Sequence, residues 1–233
     1  MEITAYASGS SGNLYAVTDG VTPLLLDAGL PWKRMQQALC FGVSRYAGCL
    51  VTHEHGDHSR AVADLLRAGV DCYMTQGTAE ALGVAAHHRV HIVRPLVQFS
   101  IGTWTVLPFD TVHDAAEPAG FLLAGGGCKV LYLTDTAYCR YRFRGLTHVM
   151  VEANYSLDIL NANVAAGKVS VEMKRRLLKT HMSLETCLDF LAANDLGRVE
   201  ELWLIHLSDG NSNADRFKLE VMATTGRPVF VAG

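Results

Sequence analysis

His53-Glu54-His55-Gly56-Asp57-His58 places three imidazoles and two carboxylates in six consecutive positions. Residues two apart in an extended segment point the same way. His53 and His55 can therefore converge on one cation while the following turn aims Asp57 and His58 at a second. Imidazole mixed with carboxylate suits Zn or Mn, and divalent ions held ~3.5 to 4 Å apart can share a hydroxide. The plain alternative is a solvated histidine-rich loop. Against it, the apolar run Gly48–Thr52 stops abruptly at His53, and Ala61, Val62, Leu65 and Leu66 follow at helical spacing before Gly69. Four candidate ligands between a strand and a helix favour a metal site. Two later runs behave alike: Trp104–Phe109 leads to His113, and Lys129–Thr134 ends at Asp135.

The elements that must position these groups are short and alternate in type. Ile3–Ala7, Leu14–Thr18 and Leu24–Asp27 read as opening strands separated by Gly, Ser, Asn and Pro. Ser59–Ala68 reads as a helix, Leu146–Val151 as a strand and Val171–Lys179 as a basic helix. Ser183–Asn194 is an amphipathic helix with Ser183 as N-cap, stopped by Gly197. A strand over Glu201–Leu207, a helix over Ala214–Thr225 and a strand over Val229–Ala232 close the chain. With 233 residues, 49% of them hydrophobic and a formal charge of −3, the sequence excludes a disordered tail, a polycation and a collagenous repeat. The length predicts one domain spanning 1–233. No run reaches the ~18 apolar residues of a membrane helix, and Met1-Glu2-Ile3 lacks the basic start of a secretion signal, so a soluble, cytoplasmic protein with no membrane partner is expected. The six cysteines are scattered without a C-x-x-C pair and read as reduced thiols.

The pattern H-x-H-x-D-H after a strand, with a later His, Asp and His each ending a strand, resembles the metallo-β-lactamase superfamily. The resemblance implies an α/β (α+β) chain folded as a four-layer αββα sandwich, with two similar halves at about 1–110 and 111–233. It also implies a ligand set of two divalent metal ions: His53, His55 and His113 at one, Asp57, His58 and His206 at the other, Asp135 bridging. Asp27 in Leu24-Leu-Leu-Asp-Ala-Gly29 matches an acid that holds the histidine loop. Ser8-Gly-Ser-Ser-Gly-Asn13, His113-Asp-Ala-Ala-Glu-Pro118, Glu152-Ala-Asn-Tyr155 and His206-Leu-Ser208 narrow the resemblance to WalJ/YycJ-like nucleases, and more distantly to RNase Z and RNase J. Gly56 departs from a common Ser of that branch, and Thr180-His-Met-Ser-Leu184 from a more usual Gly-His-Leu-Ser-Asn.

These readings imply a phosphodiesterase acting on nucleic acid, DNA or RNA, and by resemblance a 5′-to-3′ exonuclease. A cyclic-nucleotide phosphodiesterase is the nearest rival, and a non-catalytic metal-binding protein a more distant one. Asp57 and His181 are the candidate catalytic residues, His181 as the acid that protonates the leaving oxygen, because its loop precedes a helix N-terminus. Glu152 and Asn154 end a strand and could order a ligand. Ser10, Ser11 and Asn13 could hold a phosphate or cap the pocket. Arg140-Tyr-Arg-Phe-Arg144, with Arg140 and Arg142 as phosphate contacts and Tyr141 or Phe143 stacking a base, joins Lys168, Lys174, Arg175, Arg176 and Lys179 in a basic rim. His87, His88 and His91 read as an exposed connection, His148 as a hydrogen-bonded strand residue, and Trp32, Trp104 and Trp203 as packing.

Overall fold

Parallel neighbours need crossover connections, and the first half of the chain supplies them as short helices. The computed structural model describes residues 1–233. It divides into two compact units, Met1–Asp110 with Ala115–Cys128 and Gly233, and Thr111–Asp114 with Lys129–Ala232. In the first unit, Glu2–Ala7 (β1), Leu14–Thr18 (β2) and Pro23–Leu26 (β3) form an antiparallel meander. Cys49–Leu50 (β4), Cys72–Met74 (β5) and Val90–Ile92 (β6) then add in parallel, giving the order β1-β2-β3-β4-β5-β6. Leu24, Leu25 and Leu26 are all fully buried, as expected of a strand covered on both faces. Trp32–Ala38 (α1), Gly56–Ser59 (α2), Val62–Arg67 (α3) and Gln76–Ala81 (α4) lie between the strands. Met35, Leu65 and Leu66 share one core with Leu25, Cys49 and Val51.

The predicted helix over Ser59–Ala68 is instead two helices, α2 and α3, broken at Ala61 (φ −98, ψ 9). Tertiary bonds take over the local ladder there. The Asp57 carbonyl accepts from Asn13 N at 2.7 Å, and Ala61 N donates to the Ala28 carbonyl at 2.8 Å. The unit also holds the antiparallel run Phe99–Ile101 (β7), Trp104–Asp110 (β8) and Ala119–Gly125 (β9). The second sheet has the order β13-β12-β11-β10-β9-β8-β7.

In the second unit, Cys128–Leu133 (β10), His148–Glu152 (β11), Glu201–Ile205 (β12) and Val229–Val231 (β13) run parallel in that spatial order. Their centres are apolar and fully buried from Leu131 to Leu133 and from Val149 to Val151. Leu157–Ala165 (α5), Val171–Thr180 (α6), Leu184–Ala192 (α7) and Ala214–Thr225 (α8) complete it. Ser170, Ser183 and Asn213 cap α6, α7 and α8, each accepting a backbone N–H three residues on. α7 ends before the predicted stop at Gly197, because Asn194 donates its side-chain amide to the Phe190 carbonyl at 2.7 Å and closes the last turn. β12 ends at Ile205 rather than Leu207, because His206 turns into the left-handed region (φ 55). No helix is long and apolar enough to cross a membrane.

Candidate metal centre

In the first unit Asp27 follows β3 and His53 follows β4, and since these strands run parallel both residues emerge at the same end. Asp27 has φ 58, a left-handed conformation in which Asp and Asn are enriched several-fold. Its buried carboxylate accepts from Thr52 N (2.8 Å), Thr52 Oγ1 (3.0 Å) and His58 Nδ1 (2.8 Å). An ionised carboxylate only accepts, so His58 carries its proton on Nδ1 and the Thr52 hydroxyl gives its proton to Asp27. That hydroxyl is then left to accept from His53 Nδ1 at 3.0 Å. One acid thereby sets both tautomers, and His53 and His58 each present Nε2 with its lone pair. The rings of His55 and His58 flank His53, with centroids 4.6 and 4.3 Å away.

The loop after β1 closes this assembly. Asn13 is fully buried; its amide donates to the Gly9 and Asp57 carbonyls, each at 3.1 Å, and its nitrogen lies 3.1 Å from His58 Nε2. Gly29 N donates to the Asn13 carbonyl at 2.9 Å. A Cβ on Gly29 would lie 1.7 Å from the Asp57 carbonyl oxygen, so only glycine lets these segments approach. Asp57 itself has a side chain 23% exposed, with Oδ2 3.7 Å from His58 Nε2.

The second unit repeats the logic on β10, β11 and β12. Asp135 lies just past β10, Glu152 ends β11 and His206 follows β12. Ligand atoms of Asp135, Glu152, His181 and His206 all lie within 4.8 Å of one another. Asp135 and His206 are again left-handed, with φ 46 and 55, backbone strain of the kind that gathers at working sites. Asp135 accepts from Thr134 Oγ1 at 2.7 Å, and its oxygens lie 3.5 Å from His113 Nε2 and from His206 Nε2. His113 donates Nδ1–H to the Thr180 carbonyl at 2.7 Å, which leaves its Nε2 lone pair toward Asp135. Asn154 donates to the His206 carbonyl at 2.9 Å and lies 3.1 Å from His206 Nδ1.

Glu152 is the hub of this set. It is fully buried and accepts from Thr136 N (3.0 Å), Met182 N (3.1 Å) and His181 Nδ1 (2.6 Å). Burial opposes charge on both partners, yet the pair outweighs it. The Glu152 carboxyl stays below its ordinary value and the His181 imidazole above its own, because each charge and the bond between them favour the other. His113 goes the other way: burial lowers it, only partly offset by Asp135. It is a neutral imidazole suited to ligation.

Several expected contacts sit elsewhere. Asn13 cannot meet substrate, since it is fully buried and its amide holds the histidine loop. Ser10 and Ser11 are exposed. Phe143 cannot stack a base: it is 8% exposed and packs edge-on against Phe190 at 6.4 Å. Arg140 and Arg142 are exposed on a cavity of about 280 Å³ that Tyr138 and Asp189 also line. In the expected rim, Arg176 is held by Asp114 at 2.8 Å and Lys174 by Asn161 at 2.5 Å. Arg175 and Lys179 are exposed on α6. His91 lies in β6 rather than a connection. Thr52, Thr134 and Thr180, which orient His53, Asp135 and His113, escaped sequence reasoning. Their one signal was a threonine directly before His53 and before Asp135.

A family described as a beta-lactamase superfamily domain matches residues 22–207. Exodeoxyribonuclease WalJ of Streptococcus pneumoniae is 30% identical over 223 residues, covering 88% of this chain and 81% of its own. Exodeoxyribonuclease YycJ of Bacillus anthracis is 26% identical over 239 residues, covering 95% and 88%. The metallo-beta-lactamase fold protein YhfI from Bacillus subtilis superposes with a TM-score of 0.77 at 16% identity, covering 99% of this chain and 95% of its own. That likeness shows the fold, a mixed α/β chain with two sheets in the αββα sandwich class.

Proposed function

Because the chain belongs to the β-lactamase superfamily, as a relative of exodeoxyribonuclease WalJ and a metal-dependent hydrolase, we propose that it hydrolyses phosphodiester bonds of nucleic acid. The finer reading is a DNA exonuclease working in the 5′-to-3′ direction. His53, His55 and His113 would hold one divalent cation, Asp57, His58 and His206 a second, and Asp135 would serve both. The donor chemistry fits: in both units a buried imidazole, His58 or His113, commits Nδ1–H to a fixed acceptor and so carries its lone pair on Nε2, the nitrogen that a cation would take. Zn and Mn both accept such a mixture of imidazole and carboxylate. This pattern of restrained tautomers is the observation that carries the reading.

Two divalent cations at such a site supply an acidified water and neutralise charge on the phosphoryl oxygens. The chain's own residues do the rest. His181, whose Nδ1 lies 2.6 Å from the Glu152 carboxylate that favours its charged form, would give a proton from Nε2 to the leaving oxygen. Arg175 and Lys179 on α6, with Arg140 and Arg142, offer cations to a phosphate backbone. The test offers purified protein, with Mn or Zn, linear duplex DNA, single strands, RNA and cyclic mononucleotides, beside an Asp57→Ala, His58→Ala control. Polymer cleavage lost in the control is expected, with 5′-labelled ends released first. Cleavage of the cyclic compounds and of no polymer would overturn the proposal.

A further inference from the structure

β6 and β7 are the outermost strands of their respective sheets, so each has a neighbour on one side only. A cavity of about 660 Å³ lies beside them, within the size range of small-ligand sites. None of its lining residues is a candidate metal ligand. Tyr73, His91 and Phe99 line it, and Tyr73 stacks nearly parallel on both others, at 4.6 Å and 16° to His91 and 5.4 Å and 13° to Phe99. Three rings thus share one orientation at the cavity. Ile92 and Val97 add exposed apolar surface, at 39% and 57%.

The cationic residues nearby differ in commitment. Arg89 is held by Asp71 at 3.0 Å, and His91 lies 3.5 Å from the same acid. The Arg94 guanidinium, exposed on the cavity, makes no ion pair. The turn behind it is held under strain: Leu96 adopts φ 63, pinned by its N–H to the Pro108 carbonyl at 2.8 Å, and Val97 N bonds the Arg94 carbonyl at 3.1 Å. A leucine in the left-handed region persists only where its surroundings over-determine it. This strained turn is what sets Arg94 and Val97 on the rim.

We propose that this groove binds single-stranded nucleic acid, with a base continuing the ring stack and a backbone phosphate on Arg94. The inference rests on the nuclease reading above and adds a binding site to it. Parallel rings offer a π-face that every base can use, and an unpaired guanidinium among apolar walls selects an anion. Bases inside a duplex keep their faces to themselves, so the strand must be single.

The test measures fluorescence anisotropy of a labelled, cleavage-resistant phosphorothioate oligodeoxythymidylate with the wild type, Arg94→Ala and Arg94→Glu. Arg94→Glu should raise Kd about tenfold or more, and Arg94→Ala should lower the salt slope by about 0.7. Hydrolysis of bis(p-nitrophenyl) phosphate should be unchanged in both. An oligonucleotide carrying 5-iodouracil should crosslink to the segment between His91 and Phe99. Wild-type affinity and slope in both variants, or crosslinks elsewhere, would overturn the site while wild-type cleavage of DNA leaves the nuclease reading intact. If Val97→Glu instead dissolves a dimer and leaves oligonucleotide binding untouched, the groove belongs to a second copy and the proposal fails. Failure of the wild type to cleave any polymer would strike the nuclease reading itself.

Discussion

Replacing Asp27 by Asn isolates the hydrogen-bond logic of the histidine loop, because Asn tolerates the left-handed backbone (φ 58) as well as Asp does. The carboxylate now accepts from Thr52 N, Thr52 Oγ1 and His58 Nδ1, all within 3.0 Å. An amide can turn its oxygen toward Thr52 or toward His58, never toward both. In either orientation a buried donor loses its acceptor, which costs about 1 to 3 kcal/mol, and the lost charge assistance brings the total to roughly 2 to 4 kcal/mol. If the amide N–H faces His58, the imidazole must move its proton to Nε2, the atom assigned to a cation. Metal affinity should then fall by about 10- to 100-fold. Asp27→Ala loses all three bonds and adds left-handed strain of about 1 kcal/mol or more, so it should be worse. Urea unfolding of EDTA-treated protein gives the stability term, and calorimetric titration with Mn or Zn gives the affinity. An Asp27→Asn protein that unfolds within about 0.5 kcal/mol of wild type and binds metal equally well would refute the tautomer argument.

Three further outcomes can be checked together. Gly29→Ala forces a Cβ to within 1.7 Å of the Asp57 carbonyl oxygen, so it should lower stability by more than ~2 kcal/mol and weaken metal binding, as read by denaturation and titration. His181→Ala should lower kcat by roughly 10² to 10⁴ with metal content intact; unchanged turnover would remove it from the reaction. Asp158 is held at about 2, first by the nearby Ser156 side chain and then by Arg216, whose Nη1 donates to it at 2.6 Å. A depressed carboxyl stabilises the fold above its unfolded value of 3.8, and that contribution fades as pH falls through about 2. Because its side chain is 60% exposed, Asp158→Asn should cost only ~0.2 to 1 kcal/mol at pH 7, a difference that shrinks in 1 M salt and vanishes in acid unfolding curves near pH 2.

What was legible in the sequence was local. The run from His53 to His58, the apolar segments ending near His113, Asp135 and His206, and the serine cap of α7 all obey spacings of two or of three to four residues. Those periods follow from backbone geometry alone, so they survive without knowledge of partners. Metal-competent residue types at strand ends were visible for the same reason.

Only the tertiary structure decided how those residues are held. The break between α2 and α3 arises because Asn13, more than forty positions earlier, takes the Asp57 carbonyl. Asn13 becomes a buried support rather than a substrate contact, and Phe143 packs on Phe190 instead of waiting for a base. Glu152 joins His181 across 29 positions, and the cavity beside β6 and β7 draws Tyr73, Arg94 and Phe99 from separate strands and turns. Each is a competition between a local bond and a distant one, and the distant partner wins by burial. A linear sequence records which groups can bond; folding settles which of them find each other away from water.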